Sequence, residues 1–314
     1  MASESAILTQ GLVKWYGSVQ ALRGLDLDVR RGEIYGYLGP NGAGKTTTIR
    51  CLLDLIRPNG GRARVLGLDP QRHSLAVRAR SGYLPGELRF DETLTVAGAL
   101  RLLNALRGGA APWGEVLLLA ERLELSLRTP IRNLSKGNKQ KVGVVQAFMH
   151  RPEILLLDEP TAGLDPLMQR AVLEMVREAR AGGATVFFSS HNLAEMQAIA
   201  DRVGILREGR LAEVVDTRAL AGRALHRAHV RFRPEGGALD LAALAGVPGV
   251  AVLEATADGG RRAVFRIEGE MDAFLKALAA YPVASLETEQ PSLEEVFMAY
   301  CQGRADAAGR EGRP

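Results

Sequence analysis

The chain has 314 residues, 46% of them apolar and 24% charged, a globular balance that supports one large domain or two smaller ones without disulfides or a structural metal. Lys and Arg number 40 against 36 Asp and Glu, a net charge of +4, which is too small an excess to argue for nucleic acid. The 2 cysteines, Cys51 and Cys301, form no CxxC, which speaks for a reducing compartment and against zinc or dithiol chemistry, and no apolar run approaches the roughly 18 residues of a membrane span.

The N-terminal residues show no basic-then-apolar leader pattern. Strand-like and helix-like stretches then alternate over roughly the first 220 residues, which predicts an α/β sheet domain. Within it, Lys14-Trp-Tyr-Gly17 offers two aromatics, Trp15 and Tyr16. A predicted strand, Glu33–Leu38, runs into Gly39-Pro-Asn-Gly-Ala-Gly44-Lys45-Thr46, which fits GxxxxGK[ST], and a helical stretch, Thr46–Ile56, follows. In that context Gly39, Asn41, Gly42 and Gly44 curl backbone N–H groups round phosphate oxygens, and the helix N-terminus adds its dipole. Lys45 is expected to reach the β- and γ-phosphates and Thr46 to hold Mg²⁺. Thr47, next in the loop-to-helix turn, is expected to bind the nucleotide with them, and it stands where a dinucleotide-binding GxGxxG would need its third glycine.

Residues 95–150 give helical patterns broken at Arg107–Pro112, and predict a helical subdomain inserted into the sheet domain. Ser135 and Gly137, in Leu134-Ser-Lys-Gly-Asn138, open a helix running to about Met149. Hydroxyl, backbone N–H groups and dipole make a second anion-binding helix start there. Asn138-Lys-Gln-Lys141 lacks the final Asp of the guanine motif NKxD. The apolar run Ile154–Leu157 then reads as a buried parallel strand ending in Asp158-Glu159, where doubly wound sheets bind ligands. Asp158 is placed to hold Mg²⁺ and Glu159 to act as general base on a water. Predicted strands at Ala184–Ser189 and Arg202–Leu206 bracket Ser189-Ser-His191.

After about residue 222 the pattern becomes a small α+β appendage. It has strands at His226–Arg233, Val250–Ala255, Arg262–Glu268 and Val283–Glu287, and a helix carrying Met271, Phe274, Leu275 and Leu278. His226 and His229 face opposite sides of their strand, which argues against a metal there. Ser292 and Glu295 form a capping box, and residues 302–314 read as a frayed polar tail.

With these motifs in this order, the chain resembles the ATP-binding cassette (ABC) ATPases, the nucleotide-binding subunits of ABC transporters. Leu134–Asn138 is similar to that family's LSGGQ signature, Pro160-Thr-Ala-Gly-Leu-Asp165 to its D-loop, and His191 to its switch histidine. The resemblance implies a P-loop α/β cassette over residues 6–222, with a RecA-like core, an antiparallel β portion and a helical subdomain at about 90–150. An accessory α+β domain at 223–301 and a flexible tail would follow. It implies that Tyr16 stacks on adenine, that His191 contacts the γ-phosphate, and that Ser135 and Gly137 face the nucleotide of a second cassette. Asp165 would link the two sites or simply cap its helix. The cofactors implied are ATP and Mg²⁺. The partners implied are a second, identical cassette and a separate multi-span permease, with no nucleic acid, at the cytoplasmic face of the cell membrane. Gly86 stands where the family carries a glutamine, with Glu87 next to it. Lys136 and Asn138 also depart from the signature. These departures and the appendage resemble a bacterial drug- and antibiotic-exporter subgroup. The rival reading is a non-transport cassette acting on ribosomes or DNA, and a third is a cassette that binds ATP without hydrolysing it.

Overall fold

A computed structural model describes residues 5–217, 225–233, 241–256, 261–268 and 271–289. The Ser292–Glu295 capping box, Cys301 and the 302–314 tail lie outside the described residues. Residues 1–215 and 216–314 form two compact units.

The first unit opens with two long strands, β1 (Ser5–Tyr16) and β2 (Val19–Arg30), joined by a tight turn. With β4 (Gly60–Val65) they make a three-stranded antiparallel sheet in the order β2-β1-β4. On β2, Leu25, Leu27 and Val29 alternate with exposed residues, so one face is buried and the other is wet.

A six-stranded sheet forms the centre, in the order β5-β6-β7-β3-β8-β9. Its strands are β3 (Ile34–Leu38), β5 (Ser81–Leu84), β6 (Ile154–Asp158), β7 (Thr185–Ser190), β8 (Arg202–Arg207) and β9 (Arg210–Asp216). The first five run parallel. Every residue of β3, β6 and β7 is buried, as continuous apolar runs predict. Tyr35 stacks on Phe187 across β3 and β7 with ring centroids 5.8 Å apart.

Helix α1 (Lys45–Leu52) follows β3, and α2 (Ser74–Ala79) precedes β5. Helix α1 is shorter than the expected Thr46–Ile56, because Asp54 takes a left-handed backbone, φ +51°, and the ladder ends before it. Helices α3 (Val96–Leu106), α4 (Trp113–Arg122) and α5 (Lys136–Phe148) form the expected helical insertion, broken at 107–112. Helices α6 (Pro166–Ala181) and α7 (Leu193–Ile199) flank β7.

In the second unit, β10 (Leu225–Phe232), β11 (Val250–Ala255), β12 (Arg262–Glu268) and β13 (Val283–Glu289) form a four-stranded sheet in the order β11-β12-β10-β13. Helices α8 (Leu241–Ala245) and α9 (Asp272–Leu278) accompany it. Its core centres on Phe265 against Phe274, with centroids 5.2 Å apart.

Candidate functional site

The central strand order decides where the site lies. Strand β7 sits between β3 and β6, so the three carboxyl ends emerge side by side. The phosphate loop leaves β3, Asp158 ends β6, and His191 follows β7. Parallel sheets bind ligands at such a crevice, where the order of connection reverses.

The loop 39–44 leads into α1 through Gly44, whose φ is +111°. A Cβ there would lie 2.7 Å from the Ala21 carbonyl oxygen, so only glycine fits both the backbone and the space. Beside the loop lies a cleft of about 330 Å³. Asn41, Gly42, Gly44, Lys45, Thr46 and Thr47 line it from one side, and Asp158 and Glu159 from the other.

Four side chains of that cleft are already bonded to each other or to the loop. Thr46 Oγ1 donates to Asp158 Oδ2 at 2.6 Å. Ser189 Oγ donates to Asp158 Oδ1 at 2.6 Å. Lys45 Nζ donates to the Gly39 and Pro40 carbonyl oxygens at 2.6 and 3.3 Å, and lies 3.4 Å from Glu159 Oε1. A buried ammonium is costly to desolvate unless it is paired and hydrogen-bonded, and these three oxygens meet that need. Glu159 Oε2 faces His191 Nδ1 at 2.8 Å.

Glu159 has a left-handed backbone, φ +53°. That conformation costs a non-glycine residue about 1–2 kcal/mol. Neighbours hold it there: its N–H donates to the Ser189 carbonyl at 3.1 Å, and Gln140 Nε2 donates to the Glu159 and Pro160 carbonyls at 3.0 and 3.1 Å. Backbone strain of this kind collects at functional sites. Nearby, burial and the negative Asp158 push the Tyr83 phenol up from its ordinary value.

Of the remaining sequence-derived candidates, Gly86 and Glu87 also line this cleft, and Tyr16, Ser135, Lys136, Gly137 and Asp165 do not. Tyr16 is half-exposed, with Lys14 Nζ 5.4 Å above its ring. Ser135 caps α5, its Oγ accepting from Asn138 N at 3.2 Å. Gly137 is there for close approach: a Cβ would lie 2.6 Å from the Gly163 carbonyl oxygen. Asp165 is the N-cap of α6, accepting from Met168 and Leu167 N–H at 3.0 and 3.1 Å. The Met168 bond above all holds its carboxyl below the usual range. Lys136 is exposed. Gly86 lies against the acidic pair: a Cβ there would sit 3.0 Å from Asp158 Oδ2. A glutamine at 86 would crowd Asp158 in this conformation. Glu87 lines the cleft with a side chain 79% exposed, 3.9 Å from Arg89.

Sequence reasoning passed over Ser189, Gln140, Thr161, Ser190 and Glu195. The serines were visible beside His191 as the end of a buried strand, where a polar side chain needs a partner. Gln140 and Glu195 lack even that signal.

A phosphate loop, an acidic pair and a facing histidine at the head of a parallel sheet define a phosphate-loop nucleoside triphosphatase. Relatives of known family narrow the class. The ABC transporter family profile matches residues 22–162. The daunorubicin resistance ATP-binding protein DrrA3 of Streptomyces coeruleorubidus is 36% identical over 307 residues, covering 94% of this chain and 96% of that protein. The bacitracin transport ATP-binding protein BcrA of Enterococcus faecalis is 36% identical over 239 residues, covering 76% and 77%. A solved ATP-binding subunit of an ABC transporter superposes with a TM-score of 0.64 at 31% identity, over 69% of this chain and 92% of that one. The chain belongs to the ABC transporter family, where it stands with the ATP-binding subunits of exporters. It is an ATPase coupled to transport.

Proposed function

We propose that two copies of this chain close on Mg·ATP, hydrolyse it, and so drive a separate multi-span permease that exports an antibiotic-like compound. The observation that carries this reading is the cleft itself, where Lys45, Thr46, Asp158 and Glu159 converge, with His191 in contact with Glu159. No described helix is long and apolar enough to cross a membrane, which agrees with a separate permease at whose cytoplasmic side this chain sits.

The metal site is tested by its donors. Thr46 Oγ1 and Asp158 Oδ2 are hard oxygens, 2.6 Å apart at the phosphate loop, a donor set that suits Mg²⁺ shared with substrate phosphates. When bound, Mg²⁺ would neutralise phosphate charge. Lys45 would exchange Glu159 and the loop carbonyls for phosphate oxygens. Freed from Lys45, Glu159 would take a proton from the attacking water, with His191 keeping its carboxylate oriented.

Ser135 and Gly137 start a second anion-binding helix outside this cleft. A second copy, arranged head to tail, would bring that helix to the γ-phosphate, as the family resemblance implies. Tyr16 would then stack on adenine and Asp165 would act near the contact between copies. The cargo reading rests on relatives alone. At equal identity one is named for daunorubicin and another for bacitracin, so the permease rather than the cassette would select the compound.

The test is phosphate release by the purified chain with and without Mg²⁺, beside Lys45→Ala. It is joined by a pull-down from detergent-solubilised membranes with tagged Glu159→Gln and Mg·ATP. Metal-dependent release abolished in Lys45→Ala, and a multi-span protein in the pull-down, are expected. Ribosomal proteins without a membrane protein would overturn the transport reading.

A further inference from the structure

Glu195 is a carboxylate 7% exposed that the chemistry above does not use. Leaving such a group buried without partners is costly, and it has three. Its Oε1 accepts from Thr161 Oγ1 at 2.8 Å and from Asn192 Nδ2 at 3.4 Å. Its Oε2 accepts from Ser190 Oγ at 2.9 Å. Thr161 and Ser190 are themselves 4% and 1% exposed, so water does not compete for these bonds.

The partners' positions make the cluster more than a satisfied core acid. Thr161 is two residues after Glu159. Ser190 immediately precedes His191 and Asn192 follows it. The hydrogen bonds therefore close a ring through the chain: Glu159, Pro160, Thr161, Glu195, Ser190, His191, and back to Glu159 through the 2.8 Å contact of His191 Nδ1 with Glu159 Oε2. Asn192 Nδ2 reaches the same carboxylate, while its Oδ1 caps α7 through Ala194 and Glu195 N–H at 3.0 and 3.4 Å. Ser190 Oγ accepts in turn from Asn192 N at 2.9 Å. The segments that carry Glu159 and His191 are thus both tied to one carboxylate.

We propose that Glu195 is a positioning residue for hydrolysis, which fixes the switch loop to the turn after Asp158-Glu159 and so sets the distance between His191 and Glu159. The proposal rests on the hydrolytic reading above. It does not place Glu195 in contact with nucleotide. Its physical content is that two segments, the 159–161 turn and the 190–192 loop, move as one body while the Glu195 hydrogen bonds hold, and separately when they do not. Misplacing a reacting group by about 1 Å costs on the order of a hundredfold in rate, so loss of the ring should appear in turnover more than in binding.

The experiment uses the full chain. Glu195→Gln keeps the volume and removes the acceptor-only carboxylate. Thr161→Val removes one hydroxyl, and Thr161→Ser keeps it. Expected are a fall in kcat of about ten- to a hundredfold in Glu195→Gln and Thr161→Val with the KM for ATP changed by less than about threefold. Thr161→Ser should stay near wild type, and the double variant Glu195→Gln/Thr161→Val should be no worse than either single one. The imidazole resonance of His191, identified by its disappearance in His191→Gln, should shift in Glu195→Gln without nucleotide. Wild-type kcat and an unmoved His191 resonance in folded Glu195→Gln would overturn the proposal. So would a loss that merely follows the unfolded fraction in thermal melts, or strictly additive losses in the double variant. Wild-type activity abolished by Lys45→Ala, measured alongside, keeps the hydrolytic reading testable by itself.

Discussion

Glu159 is held between two nitrogens: Lys45 Nζ lies 3.4 Å from its Oε1 and His191 Nδ1 lies 2.8 Å from its Oε2. One carboxylate thus joins the phosphate loop to the switch loop. Glu159→Gln keeps the shape and loses the proton acceptor. Phosphate release should fall by about 10²–10⁴, while ATP binding followed by a fluorescent analogue persists. Turnover near wild type would remove Glu159 from the proton-transfer step.

Tyr16 has an exposed ring outside the phosphate cleft. Base–aromatic stacking is worth about 1–3 kcal/mol in nucleic-acid systems. Tyr16→Ala should therefore raise the Kd for ATP about tenfold, and Tyr16→Phe should leave it alone. If Trp15→Ala gives the larger loss, the stacking assignment passes to Trp15.

His150 follows α5, and its Nε2 accepts from Arg107 Nη1 at 3.1 Å. Burial first, and the guanidinium second, push its imidazole down to about 4. An unfolded histidine titrates near about 6.5, so between those values the unfolded chain holds the extra proton. The sign follows: the contribution is complete above about pH 6.5 and is lost as pH falls toward 4. Solvent screens the partly exposed ring, so the contribution is about 1–2 kcal/mol. Urea unfolding at neutral and acid pH should show the loss in wild type and a shallower pH dependence in His150→Asn. Parallel curves would show that His150 does not drive it.

Gly137 abuts the Gly163 carbonyl, where a Cβ would lie 2.6 Å away. Gly137→Ala must push the 161–165 segment aside. A cost of about 1–3 kcal/mol is typical of such overpacking, readable as a lower Tm. Lys136→Ala, at an exposed neighbour, should leave Tm unchanged.

The parts of this molecule legible in its sequence are those whose cause is local. A glycine-rich loop between an apolar strand and a helix, or an apolar run ending in two acids, carries its geometry in consecutive residues. Hence β3, β6, β7 and the helical insertion lie close to their expected bounds. The end of α1 was not legible, because nothing in Asp54 announces a left-handed backbone. Partnerships set by strand order were also out of reach. Gln140 finds the Glu159 carbonyl, and Glu195 finds Thr161, only once the fold brings α5, the end of β6 and α7 together. Gly137 reads as part of a phosphate-binding signature, yet its nearest constraint is a carbonyl of its own chain. Gly86 stands where a Cβ would lie 3.0 Å from Asp158 Oδ2, a contact between positions far apart in sequence that no local pattern announces.

The left-handed backbone of Glu159 has an evolutionary consequence. Glycine and asparagine tolerate that conformation better than glutamate does. Either would relax the turn, and both would discard the proton acceptor. In a lineage released from the need for turnover, position 159 is therefore where drift should first improve the fold. A cassette of this kind that has fallen idle would carry the mark there, beside an otherwise intact phosphate loop.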